Sequence, residues 1–154
     1  MEKGDEAVVD HKWIGRTYGP FTYEIGREKM KEYAGAAKDP RDIYMNEEFA
    51  AQTKYGDIIG MPNFAATWGL RGAGYMFMDQ EVNLNFLMLV HGAQEFEFLD
   101  VIKPNDVLTE TGTILDIYEK GNLDFVIYGA EVHNQKGELV FKGKSTFIIT
   151  GGGS

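Results

Sequence analysis

The spacing of apolar residues changes character near residue 80. Downstream, residues 86–99, 107–119, 123–134 and 138–149 alternate apolar and polar side chains over long runs. A period of two puts one set of side chains on one face, so each run predicts a strand with a buried side. The runs are separated by Lys103-Pro104-Asn105-Asp106, Gly121-Asn122 and Gln135-Lys136-Gly137, residue types that favour tight turns between antiparallel neighbours. Upstream, Phe21-Thr22-Tyr23-Glu24-Ile25 predicts a short strand. Gly26 then opens a helical pattern with Met30, Tyr33, Ala34 and Ala37 on one face. Pro40 disfavours helical geometry at Asp39, so the helix stops there and residues 38–45 are expected as an irregular overhang, a place from which a side chain can be aimed into a pocket. Asn46 followed by Glu47 and Glu48 predicts a second helix start, with Gly56 as its C-cap.

Residues 63–79 form a mostly apolar segment, too long for one strand, and are expected as a central buried helix. Gly69, Gly72 and Gly74 inside it let other backbones approach closely, at a helix cost of ~1 kcal/mol each against Ala. An antiparallel sheet with one apolar face and one long apolar helix bury each other when the sheet curls around the helix, which makes this an α+β chain. Residues 1–150 are read as a single domain and residues 151–154, Gly-Gly-Gly-Ser, as a flexible tail. A lone curled sheet leaves open edges, so assembly into a dimer is expected.

The net charge of -9 argues against binding nucleic acid or an anionic membrane surface, both of which need a basic patch. Without cysteine there is no thiolate metal site, no His/Asp/Glu set has metal-ligand spacing, and no metal or redox cofactor is implied. The start of the chain has neither a basic nor an apolar signal region, and no apolar run approaches the ~20 residues of a membrane helix, so a cytoplasmic location is expected. Arg16, Arg27, Lys29, Lys31, Lys38 and Arg41 are candidates for docking an anionic ligand, with ordinary solvated surface charge as the competing reading.

The overhang carries the candidate chemistry. After Arg27-Glu28-Lys29, two further residues and Glu32-Tyr33-Ala34, it reads Lys38-Asp39-Pro40-Arg41-Asp42-Ile43-Tyr44. This stretch resembles the overhang of MaoC-like (R)-specific hydratases and dehydratases, in which an Asp and a His add or remove water across an acyl thioester. Asp39 matches the Asp, and Tyr44 stands where that family has His. A general base works best with a pKa near the operating pH, and free imidazole sits at ~6.5 against ~10 for a phenol, so Tyr44 is expected to donate rather than to accept a proton from carbon. The pattern is similar to that of the non-catalytic subunit of heterodimeric 3-hydroxyacyl carrier-protein dehydratases. The likeness runs from Tyr18 to Thr150 and includes residues 91–98, 102–106 and 131–140.

That resemblance implies a hot-dog fold, an antiparallel sheet wrapped around a long central helix. It also implies an acyl-CoA or acyl carrier protein thioester as ligand, and a homodimer or a heterodimer with a catalytic hot-dog subunit. Ile59-Gly60-Met61 resembles the family step at which a glycine amide polarises the thioester carbonyl; the plainer reading is a turn into the central helix. Of the three histidines, His91 has a claim to face a pocket, against a role in hydrogen bonding across a subunit contact, while His11 and His133 read as surface residues. Trp68, Tyr75, Met76, Phe77 and Met78 are expected mostly in the core, with a few lining an acyl tunnel. The rival readings are a self-sufficient hydratase or thioesterase using Asp39 or His91, and an acyl-binding or scaffold protein without catalysis.

Overall fold

In the computed structural model, which describes residues 9–150, each of the four downstream runs is a strand. With β1 (Thr17–Glu24) they are β2 (Leu89–Phe98), β3 (Val107–Lys120), β4 (Leu123–His133) and β5 (Leu139–Thr150). They form one antiparallel sheet in the order β1-β3-β4-β5-β2. The expected alternation holds where one face is covered: Leu108 and Ile114 on β3, Val126, Tyr128, Ala130 and Val132 on β4, and Phe147 and Ile149 on β5 are all buried. Lys120 pairs with Leu123, so Gly121 and Asn122 make a two-residue hairpin loop, and Gly121 takes the positive φ of 68° that such a turn requires. β1 starts four residues earlier than its pattern predicted, at Thr17 against Phe21, because Thr17 and Tyr18 pair with Thr113 and Gly112 across a register shift that interrupts the alternation.

The proposed tail at residues 151–154 and the first residues of the chain lie outside the described region.

Upstream, α1 (Arg27–Ala36) buries Met30 and Ala34 as expected. Ala37 is exposed, contrary to its predicted place on the buried face, because the helix ends one residue before it. Lys38 adopts a positive φ of 57°, Lys38 N–H donates to Gly35 O and Asp39 N–H to Ala34 O, so the last carbonyls are satisfied by a left-handed cap before Pro40 is reached. The overhang is less irregular than expected, since it contains one helical turn, α2 (Asp42–Met45). Asn46 then caps α3 (Glu47–Ala51) by accepting from Phe49 N–H at 3.1 Å. α3 stops at Gln52, so Gly56 serves a following turn rather than the C-cap assigned to it.

The central apolar run is helical in two pieces, a 3₁₀ segment Pro62–Thr67 and α4 (Arg71–Phe77). They part at Trp68, whose φ of -139° leaves the helical region. This turns its ring into the core, stacked 5.8 Å from Tyr23 and edge-on 5.3 Å from Phe141. Gly69 permits the tight step that follows, because a Cβ there would sit 2.7 Å from Ala65 O. The break therefore comes from fitting a large aromatic against β1 and β5, a tertiary demand that outweighs helical continuity. Beyond it, α4 lays Gly72, Ala73 and Met76 on the sheet.

Two core clusters result. One packs α4 and residues 82–84 against β3, β4 and β5; the other gathers Met30, Ala50, Ile58, Phe64, Trp68, Leu108, Val132 and Phe141 beneath α1 and the overhang. Burying a side chain such as Phe64 or Phe141 contributes ~1.5–3 kcal/mol. No helix among the described residues is long and apolar enough to cross a membrane.

Candidate functional site

The left-handed turn at Lys38 aims Asp39 back along the overhang, where it meets Arg41. The guanidinium engages the carboxylate with two bonds, Nε to Oδ1 at 2.7 Å and Nη2 to Oδ2 at 2.6 Å. The same Nη2 donates to the Tyr44 hydroxyl at 3.2 Å, and the guanidinium carbon lies 5.0 Å from the centre of the Tyr44 ring. Asp39 and Tyr44 are thus brought together, with Arg41 between them. Hydrogen bonding to Arg41, together with its charge, holds the Asp39 carboxyl below the usual carboxylate range. Tyr44 is only 7% exposed, so its position is fixed by packing as well as by the α2 turn. The bidentate ion pair engages both carboxylate oxygens of Asp39 and leaves each a further lone pair.

Gly60 lies next to this unit. Ile59 N–H donates to Ile43 O at 3.1 Å, which ties the segment before the central run to the overhang. Gly60 N–H itself donates to Ile102 O at 2.8 Å. Its amide is thus engaged by the chain itself, in the pairing that sets residues 59–60 between the overhang and residue 102. Met61 is half-buried against the cluster beneath α1, as are Ile43 and Tyr33.

His91 sits apart. It is exposed on the edge strand β2, with its ring 5.1 Å from that of Phe147, a member of the other core cluster. Asp39, Tyr44, Gly60 and Met61 therefore gather in one region, and His91 does not join them in this chain. No group of three or more His, Cys, Asp or Glu with metal-binding proximity occurs among the described residues.

Of the six basic candidates, four are engaged by acids. Arg16 pairs with Asp79 and Glu81, Arg27 with Asp57 and Glu47, Lys31 with Glu47, and Arg41 with Asp39. Most of these pairs fasten α1 and the segment before β1 to α3 and to neighbouring loops, and they leave little net positive charge for a ligand.

Sequence reasoning missed a buried polar group at the sheet centre. Glu110 on β3 is 2% exposed; its Oε1 accepts from Gly72 N–H and from the Tyr128 hydroxyl, both at 3.3 Å. Oε2 has no partner among the described residues. The N-cap of α4 is Leu70, which has no side-chain acceptor, so a carboxyl from the sheet caps the first turn instead. The signal was present in Val107-Leu108-Thr109-Glu110: an acid in phase with the inward-facing Leu108 and Ile114.

Burial is the largest influence on Glu110 and raises its pKa above 4.5, against the opposing hydrogen bonds from Gly72 and Tyr128. A raised folded-state pKa means that the native state holds a proton the unfolded chain gives up. This contribution to stability is complete below the ordinary glutamate value and is lost as pH rises through the folded value. Glu110→Gln, which stays neutral, removes the loss. Thermal melts should therefore show the variant gaining on wild type between pH 5 and pH 8; a constant offset in Tm across that range would contradict this reading.

The family pattern described as the FAS1-like dehydratase domain region matches residues 12–143. The chain belongs to this family. Among its relatives, the UPF0336 protein of Streptomyces avermitilis is 36% identical over 134 residues, 86% of this chain and 89% of the relative. That of Saccharopolyspora erythraea is 34% identical over 144 residues, 93% and 92% of the two chains. In fold, the chain matches a C-terminally truncated HadBC (3R-hydroxyacyl-ACP dehydratase) complex of Mycobacterium tuberculosis. The TM-score is 0.79 at 24% identity, over 88% of this chain and 96% of that one. It matches the MaoC-like dehydratase of Rhodospirillum rubrum with a TM-score of 0.71 at 18% identity, over 92% and 94%. The architecture is the hot-dog fold of the MaoC-like dehydratases and hydratases, as the sequence resemblance implied.

Proposed function

We propose that this FAS1-like dehydratase chain is the non-catalytic, acyl-thioester-binding subunit of a heterodimeric (R)-3-hydroxyacyl-CoA or acyl carrier protein dehydratase. The observation that carries the proposal is the Asp39–Arg41–Tyr44 unit: the His position holds a buried tyrosine, and the carboxylate is held by a bidentate arginine. Reversible hydration of a trans-2-enoyl thioester needs a group that takes a proton from water or from carbon, and a phenol and a carboxylate held below its usual pKa by Arg41 are both poorly matched to that task. The base must then come from a partner. β2 is a sheet edge with open backbone groups, and beside it Phe86, Leu87 and Val90 are exposed, Leu87 to 92%. An edge of this kind is normally paired or covered, and a second hot-dog subunit supplies a matching strand. Hot-dog complexes of two different chains, HadBC and ChsH1–ChsH2 of Mycobacterium tuberculosis, are among the structures this fold resembles.

The test is a crotonyl-CoA hydration assay of the purified chain, alone and titrated with a hot-dog subunit that carries an intact Asp-x-Asn-Pro-x-His overhang. Activity should saturate at one chain per partner, with co-elution on size exclusion, and be at background for this chain alone. Turnover by the isolated chain that disappears in Asp39→Asn would replace the proposal with a self-sufficient hydratase.

A further inference from the structure

The strand register lays out the outer face of the sheet, the one turned away from α4, as rows of residues running across β3, β4, β5 and β2. One row is apolar throughout: Tyr118, Phe125, Ile148 and Val90 stand side by side. The Tyr118 and Phe125 rings stack at 4.8 Å, and Tyr118 and Val90 are 39% and 54% exposed. Toward the other end of the strands two rows carry charge. The first reads Thr113, Gly129, Lys144 and Glu95, the second Thr111, Glu131, Lys142 and Glu97. Together they line a hollow of about 630 Å³. Lys142 lies 3.6 Å from Glu131 and Lys144 3.0 Å from Glu95, with all four side chains well exposed. Exposed pairs of this kind hold each other by only ~0.2–1 kcal/mol, so each charge can take a second partner from outside.

We infer that this face packs against the same face of a second copy of the chain, about a two-fold axis lying in the interface, parallel to the strands and midway between β4 and β5. Such an axis sets β4 over β5 and β3 over β2 while keeping each row in place. Glu131 then meets Lys142 of the second copy and Lys142 meets its Glu131, which turns two exposed pairs into a square of alternating charge. Glu95 and Glu97 meet the hydroxyls of Thr113 and Thr111. Lys144 comes over Gly129, beside Leu115, whose methyl groups suit the lysine stem. In the apolar row Phe125 faces Ile148 and Tyr118 faces Val90. An in-plane axis running across the strands has no such fit, because it lays Glu131 on Glu131 or the charged rows on the apolar one. The patch runs about 20 Å along the strands and about 15 Å across them, the size of a weak, reversible contact. The inference goes beyond the subunit role proposed above. It uses neither the overhang nor the open edge of β2, so either reading can fail alone, and a heterodimer joined at that edge would double through this face.

Sedimentation of the full chain over a concentration series at low salt tests it, with Glu131→Lys and Lys142→Glu run singly and as an equimolar mixture. Wild type should show a reversible doubling of mass in the micromolar range. Each single variant sets like charges against each other across the axis and should associate about tenfold more weakly or worse. The mixture should regain wild-type association, because the lysines of one variant then face the glutamates of the other. Within each chain the charges stay mismatched, so the recovery reports a contact between copies. Both variants leave the β2 edge intact, and association there does not respond to them. Tyr118→Glu should weaken the doubling as well, and circular dichroism of each variant confirms folding. The inference is overturned if the single variants associate as wild type does, if the mixture associates no more tightly than its components, or if wild type shows no doubling of mass.

Discussion

Gly112→Ala is expected to destabilise the fold by roughly 3 kcal/mol, at the upper end of the range for overpacked cores. A Cβ built on Gly112 would lie 1.5 Å from the Tyr128 hydroxyl oxygen and 2.2 Å from the ring carbon that bears it. Tyr128 has nowhere to retreat. On the other side of its hydroxyl, a Cβ on Gly72 of α4 would lie at 1.8 Å, so the phenol tip is held between two glycines, one from the sheet and one from the helix. Displacing it also removes the donor to Glu110, whose carboxyl is buried and already incompletely satisfied. Urea unfolding at pH 7 measures the loss as a lowered midpoint with unchanged slope. Gly35→Ala is the control: it lies inside α1 with no atom near its would-be Cβ, and should instead stabilise by up to ~1 kcal/mol. A Gly112→Ala midpoint indistinguishable from wild type would mean that Tyr128 is not clamped.

Tyr44→His alone is expected to leave enoyl-thioester hydration at background, and Arg41→Ala combined with Tyr44→His to raise it about ten- to hundredfold. Imidazole has the right pKa for the task, and general acid–base catalysis contributes ~10²–10⁴. In the single variant, however, Arg41 still occupies both oxygens of Asp39. Freeing the carboxylate lets it orient the new imidazole, and imperfect placement accounts for the part of the factor not recovered, since ~1 Å of misplacement costs about a hundredfold. The readout is kcat/KM for crotonyl-CoA. Asp39→Asn on the double variant should return it to background; a gain that survives Asp39→Asn would remove Asp39 from any catalytic geometry.

The strands were legible because the sheet has one covered face, which forces a period of two through residues such as Val126, Tyr128, Ala130 and Val132. The Gly121-Asn122 loop was legible for a local reason, the positive φ that a two-residue hairpin demands. The division of the central run was not, because Trp68 leaves the helix to meet Tyr23 and Phe141, residues distant in sequence. At the overhang, Asp39 and Tyr44 were identifiable by type and spacing. The bidentate hold of Arg41 on Asp39 depends on the turn that Lys38 makes, which residue type and spacing do not give. Gly60 shows the opposite limit: a glycine marks where an amide is accessible to neighbours, and spacing alone does not say that the neighbour is Ile102 O. Glu110 was readable by phase, and its function as a cap was not, because its partners Gly72 and Tyr128 come from elements on either side of β3 in the chain.

The sheet order also dictates when this protein can begin to fold as it leaves a ribosome. The three strands at the centre, β3, β4 and β5, are joined by two hairpins and come last among the described elements, whereas β1 and β2 each pair with one member of that late trio. Until residues 107–150 emerge, β1, the apolar run of α4 and β2 lack the strands they pack against. The hairpins form quickly from local contacts once they appear, and the earlier segments then close onto them over long sequence separations. Among the described elements, vectorial synthesis thus delivers these three strands last, and the interval before they arrive is when Phe64, Trp68 and the residues of 86–90 are most open to wrong contacts and to holding chaperones.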